Sequence, residues 1–265
     1  MGPGTHAFSV VCRLIKALSM QACSLVLTSY QDALTRAMDV VANNVANSNT
    51  SGFKRQEVLF ETMVSRPTNK DEILFGTDRG TLRDISPGPL LMTGNPLDVA
   101  IQGPGYLQIQ TQGGTRYTRN GTFVLNSEGE IVTPSGERLL GDGDQALTLP
   151  EDARDIHIGS DGVVSAMSGT GTQLTQVGKL KIVKFAREQD LQPSGNNYYT
   201  SQETPAADEA STIVQGMVEQ SNVKPVAEIT NMISIYRTYQ QVVHLLDLDH
   251  QRQTSAINRL SKVTA

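Results

Sequence analysis

Tryptophan is absent from the sequence and aromatic residues make up only 5% of it, which argues against a deep aromatic-lined ligand pocket. Cysteine is nearly absent: Cys12 and Cys23 are the only two. Both precede residue 24, so a bridge between them would be local and could not brace the rest of the chain. With no Cys-x-x-Cys or metal spacing around them, free thiols are expected. Histidine is equally sparse. His6, His157, His244 and His250 lack metal-type spacing, and the last two fall on different faces of one helix, so no zinc site is expected. Excess positive charge is missing as well. The formal net charge is −5 and the 22 basic residues are scattered, with no cluster stronger than residues 178–184, so nucleic acid is not an expected partner.

No stretch reaches the roughly 18 continuous apolar residues of a membrane span. The most apolar one, residues 8–27, is interrupted by Arg13, Lys16 and Gln21, and the first eleven residues carry no Lys or Arg. A cleaved signal peptide is therefore not expected. Catalytic signatures are missing too. There is no Gly-x-Ser-x-Gly elbow and no P-loop. The glycines near residues 141–143 and 169–171 do not continue into a nucleotide fingerprint, and Asp142 and Asp144 lack the downstream Glu of a calcium loop, so both read as turns. Asp98, Asp161 and Asp190 are single carboxylates in turn-like surroundings. Neither a catalytic residue nor a cofactor, metal or small-molecule substrate is nominated.

What is present is a chain of 265 residues, long enough to bury a core without a staple. From Leu27 onward, apolar or small residues recur at three- and four-residue steps: Leu27, Tyr30, Leu34, Ala37 and Val41. This is a helix with one apolar stripe, and it should stop between Asn44 and Gly52, where residues favouring turns and left-handed backbone accumulate. The far end repeats the pattern with Ile229, Met232, Tyr236, Tyr239, Val243, Leu246, His250, Gln253, Ile257 and Leu260. Ser221 and Asn222 supply caps, Pro225 suits a first turn and Glu228 suits its dipole, so a helix over 226–263 is predicted. Burying the eight apolar members of that stripe would contribute on the order of 10 kcal/mol. An isolated amphipathic helix leaves that stripe wet, so each helix needs a partner.

Between the helices the period changes to two, as in residues 106–110 and 122–125. Turn signals punctuate these runs, and Asn120-Gly121 predicts a hairpin. Residues 82–200 therefore read as an antiparallel β domain whose strands bury one face, with 179–185 as one strand. The expected organisation is an extension or misassigned start at 1–19, a helix and Asn-rich turn over 20–53, a connector at 54–81, the β domain, a second connector at 201–221 and a helix within 222–265. The fold class is α+β, mainly antiparallel β flanked by amphipathic terminal helices.

Residues 42–55 (ANNVANSNTSGFKR) closely resemble the N-terminal signature of the flagellar rod and hook axial proteins, with Asn43, Asn44, Asn47, Gly52, Phe53 and Lys54 as its marked positions. Residues 94–106, 117–136 and 220–239 are similar to further stretches of that family, in the same order. The resemblance implies a non-enzymatic subunit whose terminal helices form a coiled-coil-like core in a tubular assembly while the β domain faces outward. It implies partners that are copies of itself, other rod proteins and the flagellar type III export apparatus, and a place in the periplasmic rod reached without a cleaved signal. Within the family the short connector at 56–82, residues 86–90 and residues 141–143 are most similar to the proximal rod type. The alternatives are the distal rod type and, from another class, an extracellular β-rich binding module or glycan-active enzyme. Family members usually begin at the position of Met20, which marks 1–19 as an extension or a misassigned start.

Overall fold

The structure, a computed structural model, describes residues 4–65, 73–150, 152–169 and 173–263, with side chains given for 24–59, 80–150, 152–169 and 173–259. The side chains of the 1–19 extension, of Cys12, Cys23 and Leu260, and the polar stretch at 66–72, lie outside the described residues. The chain divides into two compact units. One holds helix α1 (Gly4–Ala46) and strand β2 (Ile73–Arg83), each but for its last residue, with strand β1 (Gln56–Ser65) and helix α2 (Pro225–Val263). The helix ends follow local chemistry. After Ala46 the Asn47 carbonyl accepts from the Thr50 amide at 3.1 Å, and Gly52 takes the left-handed φ of +68°. Pro225 opens α2, where its missing N–H costs nothing, and Glu228 adds an acidic group to the first turn. The stretch 54–81, expected as a connector, carries β1 and β2, which pair with each other as a two-stranded sheet.

The other unit is built from short strands: β3 (Leu90–Met92), β4 (Val99–Gln102), β5 (Tyr106–Thr111), β6 (Gly114–Thr118), β7 (Val124–Leu125), β8 (Ile131–Val132), β9 (Arg138–Leu139), β10 (Ala153–Ile158), β11 (Val163–Ser168), β12 (Leu174–Lys179), β13 (Ile182–Lys184), β14 (Gln192–Pro193), β15 (Tyr198–Thr200), β16 (Ala206–Ala207), β17 (Thr212–Gln215) and β18 (Met217–Glu219). The main sheet runs β14-β15-β6-β5-β9-β8-β7, and β13 joins it by pairing with β5 and β16. Strands β10, β11 and β12 form a meander, β4 pairs with β17, and β3 pairs with β18. Every one of these ladders is antiparallel. The architecture is thus α+β, with an antiparallel β region between two terminal helices.

The central strands differ from expectation in burying both faces. Along β5, Leu107 and Ile109 enter a large aliphatic core with Val99, Phe123, Leu139 and Val164, while Tyr106 points to the opposite side. There it meets Tyr117, Phe185, Leu191 and Tyr199. Tyr106 and Tyr117 each stand edge-to-face on Phe185, at 5.8 and 4.8 Å between centroids. Strand β15 repeats the division, Tyr198 joining the aliphatic core and Tyr199 the aromatic one. Three further expectations change. Residues 201–221 hold β16, β17 and β18, where Ile213 and Val218 are buried together with the polar Asp208, Ser211 and Glu219. The predicted strand at 179–185 is split between β12 and β13, with Leu180 bridging to Gly141. Asn120-Gly121 joins no hairpin. The tight turn is Gln112-Gly113, with Thr111 opposite Gly114, whereas Gly121 accepts from the Val99 amide at 2.9 Å and is a glycine because a Cβ there would lie 1.7 Å from the Val99 oxygen.

Two expected outcomes follow from this packing. Gly121→Ala should destabilise the β unit by about 1–3 kcal/mol, the cost of overpacking, read as a lower urea midpoint by far-UV circular dichroism. Burial also pushes the hydroxyls of Tyr106, Tyr117, Tyr198 and Tyr199 above the ordinary tyrosine value. The fold keeps those protons after the unfolded chain releases them, so their contribution to stability is complete below about pH 10 and is lost as pH rises beyond it. Lys54 acts in the opposite sense: burial lowers its value, so its contribution rises with pH, but only below its ordinary 10.5. The urea midpoint should therefore fall between about pH 10.5 and pH 12. A flat profile there would contradict the burial of the four hydroxyls.

Candidate assembly site

In α1 the residues Leu34, Ala37 and Val41 are buried together with Ala33 and Asn44. Leu27 is half-buried and Tyr30 is 45% exposed. Two hydrogen bonds fix the partner. Gln31 Nε2 donates to Tyr239 Oη at 3.1 Å, and Asn44 Nδ2 donates to Glu228 Oε2 at 3.3 Å. Advancing along α1 from Gln31 to Asn44 retreats along α2 from Tyr239 to Glu228, so the helices run antiparallel within this unit.

The α2 face that turns inward is Glu228, Met232, Ile235, Tyr239, Val242, Leu246, Asp249 and Gln253, each buried or half-buried and spaced four and three apart. That spacing is a coiled-coil seam. It shares Met232, Tyr239, Leu246 and Gln253 with the sequence-predicted stripe, and its other members lie one residue earlier. The remaining stripe positions therefore fall beside the seam. Val243 is half-buried, Ile229, Tyr236 and Ile257 are 46%, 51% and 65% exposed, and His250 is exposed. With Val226 and Ile233, at 80% and 48%, Ile229 and Tyr236 make a second apolar row along the first half of α2. Each would contribute about 1.5–3 kcal/mol on full burial. Farther along, Leu245 and Leu248 face a groove of about 1030 Å³ that Leu27, Arg252 and Arg259 also line.

The Asn-rich signature divides between two tasks. Asn43 is exposed, whereas Asn44 is wholly buried and pairs with the backbone of Gln56 through both amide atoms, at 2.8 and 2.9 Å. Beyond the helix, Asn47 holds the turn through Thr50, and Gly52, Phe53 and Lys54 are buried in the β unit. Gly52 donates to the Glu219 carbonyl at 2.7 Å, and a Cβ on it would lie 2.5 Å from the Arg119 backbone. Lys54 Nζ donates to Glu219 Oε1 at 2.7 Å and to the Ser86 carbonyl at 2.8 Å. Glu219 Oε1 also accepts from the Gly88 amide, and Oε2 from Arg119 Nη1 at 3.3 Å. Asn222 completes the cluster, accepting from the Arg55 amide at 2.7 Å and donating to the Asp84 and Ser86 carbonyls at 2.9 and 3.1 Å. Arg119 lies over the Tyr106 ring, and Arg83 over Tyr199.

Sequence reasoning singled out Lys54 and read Asn222 only as a helix cap, and it missed Glu219, the partner of Lys54, and Arg119. Arg119, Glu219 and Asn222 carry no periodicity, yet Arg119 and Asn222 lie inside stretches that share the family resemblance, as does Ser86 beside Gly88. Among the described residues, no group of three or more His, Cys, Asp or Glu is placed to hold a metal, and no helix is long and apolar enough to cross a membrane.

Comparison with known proteins bears directly on this arrangement. Residues 26–54 match the family model of the flagella basal body rod protein, 100–166 that of the flagellar hook protein FlgE/F/G D1 domain, and 214–259 that of the flagellar basal body rod FlgEFG protein C-terminal region. The flagellar basal-body rod protein FlgF of Caulobacter vibrioides is 36% identical over 241 residues, covering 89% of this chain and 96% of its own length. The FlgF of Mesorhizobium japonicum is 34% identical, covering 91% and 98%. The FlgG of Agrobacterium fabrum is 35% identical, covering 83% and 92%. The chain therefore belongs to the flagellar basal-body rod protein family, as a structural rod subunit.

Proposed function

We propose that this subunit is of the FlgF type and occupies the proximal rod, where its terminal helices pack against copies of itself and other rod proteins and pass torque toward the hook. The observation that carries the reading is the second apolar row on α2. Val226, Ile229, Ile233 and Tyr236 stay exposed beside a seam that α1 already satisfies within the chain, and a neighbouring subunit's helix is the occupant a rod supplies. The predicted interface residues then divide by task. Leu27, Leu34, Ala37, Val41, Met232, Tyr239 and Leu246 hold the chain's own helix pair. Tyr30, Ile229, Tyr236, Val243 and Ile257 face neighbours. The FlgF assignment draws support from length: the FlgF of Caulobacter vibrioides matches 89% of the chain, against 83% for the FlgG of Agrobacterium fabrum. The subunit acts structurally, without catalysis. It reaches the periplasmic rod through the flagellar export apparatus with its N-terminal helix uncleaved.

An in-frame deletion should abolish swimming and leave basal bodies without a complete rod by electron microscopy. Genes starting at Met1 and at Met20 would be supplied in turn, and restoration by either identifies the functional start. Unimpaired swimming with complete rods would remove the rod assignment. Ile233→Asp and Val243→Asp place a charge in the proposed neighbour interface. Each should leave the purified chain's helical signal and β-unit stability near wild type while rod incorporation falls at least tenfold. Normal incorporation would sink the division of labour on α2. Copurification with proximal rather than distal rod neighbours separates the two rod positions.

A further inference from the structure

The chain passes between its two units four times, at 45/46, 55/56, 82/83 and 224/225. Three segments of the β unit carry those passages: 46–55, the residues from Arg83 onward, and the residues up to Lys224. All three are laced to one another where they enter. Segment 46–55 is tied to the last segment by the Gly52 amide on the Glu219 carbonyl, by the Asn222 amide on the Phe53 carbonyl at 3.4 Å, and by the Arg55 amide on Asn222 Oδ1. It is tied to the middle segment by the Asp84 amide on the Arg55 carbonyl at 2.8 Å and by Lys54 Nζ on the Ser86 carbonyl. The middle and last segments are joined by Gly88 on Glu219, by the Gln220 amide on the Pro89 carbonyl at 2.9 Å, and by Asn222 Nδ2 on Asp84 and Ser86.

Three side chains, Lys54, Glu219 and Asn222, therefore bridge all three segments, and Arg119 braces Glu219. Lys54 and Glu219 are 1% exposed and Arg119 is 4% exposed. Ion pairs so deeply buried add little net stability over apolar residues of the same volume, and their best-attested use is selecting one register. Here Lys54 Nζ reaches both Ser86 and Glu219, and Glu219 Oε1 takes both Lys54 and Gly88, so both charges are spent across segments. The aliphatic core shares none of these residues, so the lacing is separable from the packing that holds the strands together.

We propose that Lys54, Glu219 and Asn222 are positioning residues of the rod subunit, a clasp that sets the separation at which the four passages leave the β unit, and that assembly requires this fixed separation. The clasp itself stands on the geometry above. Its link to assembly rests on the rod reading.

The test uses the full chain with Lys54→Met, which keeps length and loses charge, and Asn222→Asp, which keeps shape and loses both donors at a half-buried site. Amide hydrogen exchange is read at Gly52, Arg55 and Asp84, whose hydrogen bonds cross the clasp, and at Leu107 and Ile109 in the core. The clasp amides are expected to exchange faster in both variants, by at least about ten times the factor by which the core amides accelerate. Clasp amides within about twofold of wild type, or core amides accelerated by the same factor, would overturn the proposal. In the deletion strain, Lys54→Met should fail to restore swimming, and Lys54→Arg, which keeps the cation, should restore it. Wild-type swimming by a Lys54→Met chain with loosened clasp amides would refute the link to assembly. Failure of the rod reading shows separately, as a deletion strain that swims normally, and leaves the exchange result to judge the clasp alone.

Discussion

Glu219 sits 1% exposed at the last residue of β18, and a carboxylate without water is tolerated only where cations and N–H groups replace it. Lys54, Arg119 and the Gly88 amide do so. Much of the surrounding sequence follows from that requirement. Lys54 can reach Glu219 only if the turn before it lies flat on the Arg119 backbone, which demands a residue without a Cβ and with positive φ at position 52. Gly88 can donate only if it passes so close to Gln220 that a Cβ would lie 1.9 Å from its carbonyl oxygen. Taking away one partner of such a pair typically costs about 3–5 kcal/mol, because the other charge stays buried. The Gly-Phe-Lys of the signature is thus one ion pair together with the backbone geometry that lets it form. Phe53, the residue between Gly52 and Lys54, is buried as well.

The elements carrying one strong period were legible. Both helices and the antiparallel character of the middle could be read because burial on one side writes itself into spacing, at 3.6 residues or at two. What escaped was double-sided burial. Along β5 the residues facing the aliphatic core are Leu107 and Ile109, and those facing the other way are Tyr106 and Gln108. A tyrosine and a glutamine look like a solvent face in sequence, and only Phe185, Tyr117 and Tyr199, brought in from distant strands, make that face an interior. The same blindness explains residues 201–221. Their strands are two to four residues long, too short for alternation to be told from chance, and they are strands because β3, β4 and β13 await partners.

The helix stripe shows a different limit. A row spaced four and three fits positions 229, 232, 236 and 239 as well as it fits 228, 232, 235 and 239, since the two rows share every seventh residue. Counting apolar residues favoured the first. The structure gives the intrachain seam to the second, which includes Glu228 and Asp249. Glu228 is matched by Asn44, while Asp249 accepts from Arg252 and Gln253 of its own helix at 2.7 and 2.8 Å. Hydrophobicity alone could not find a seam that is partly polar.

That polarity bears on the proposal that one helix serves two partners. Were the inward row wholly apolar, either row of α2 could take α1, and the pair could slip by a residue or rotate at little cost. A buried polar residue at a seam position selects one alignment, giving up some stability to do so. Asn44 is bound at once to the Gln56 backbone and to Glu228, so sliding α2 by one residue would break the Glu228 contact and leave a buried amide donor short of a partner, at about 1–3 kcal/mol. The apolar row of Val226, Ile229, Ile233 and Tyr236 is thereby held out of the chain's own seam by what lies beside it. A surface that must stay free until a neighbour arrives is protected more surely by a polar lock on the competing pairing than by any weakness of its own.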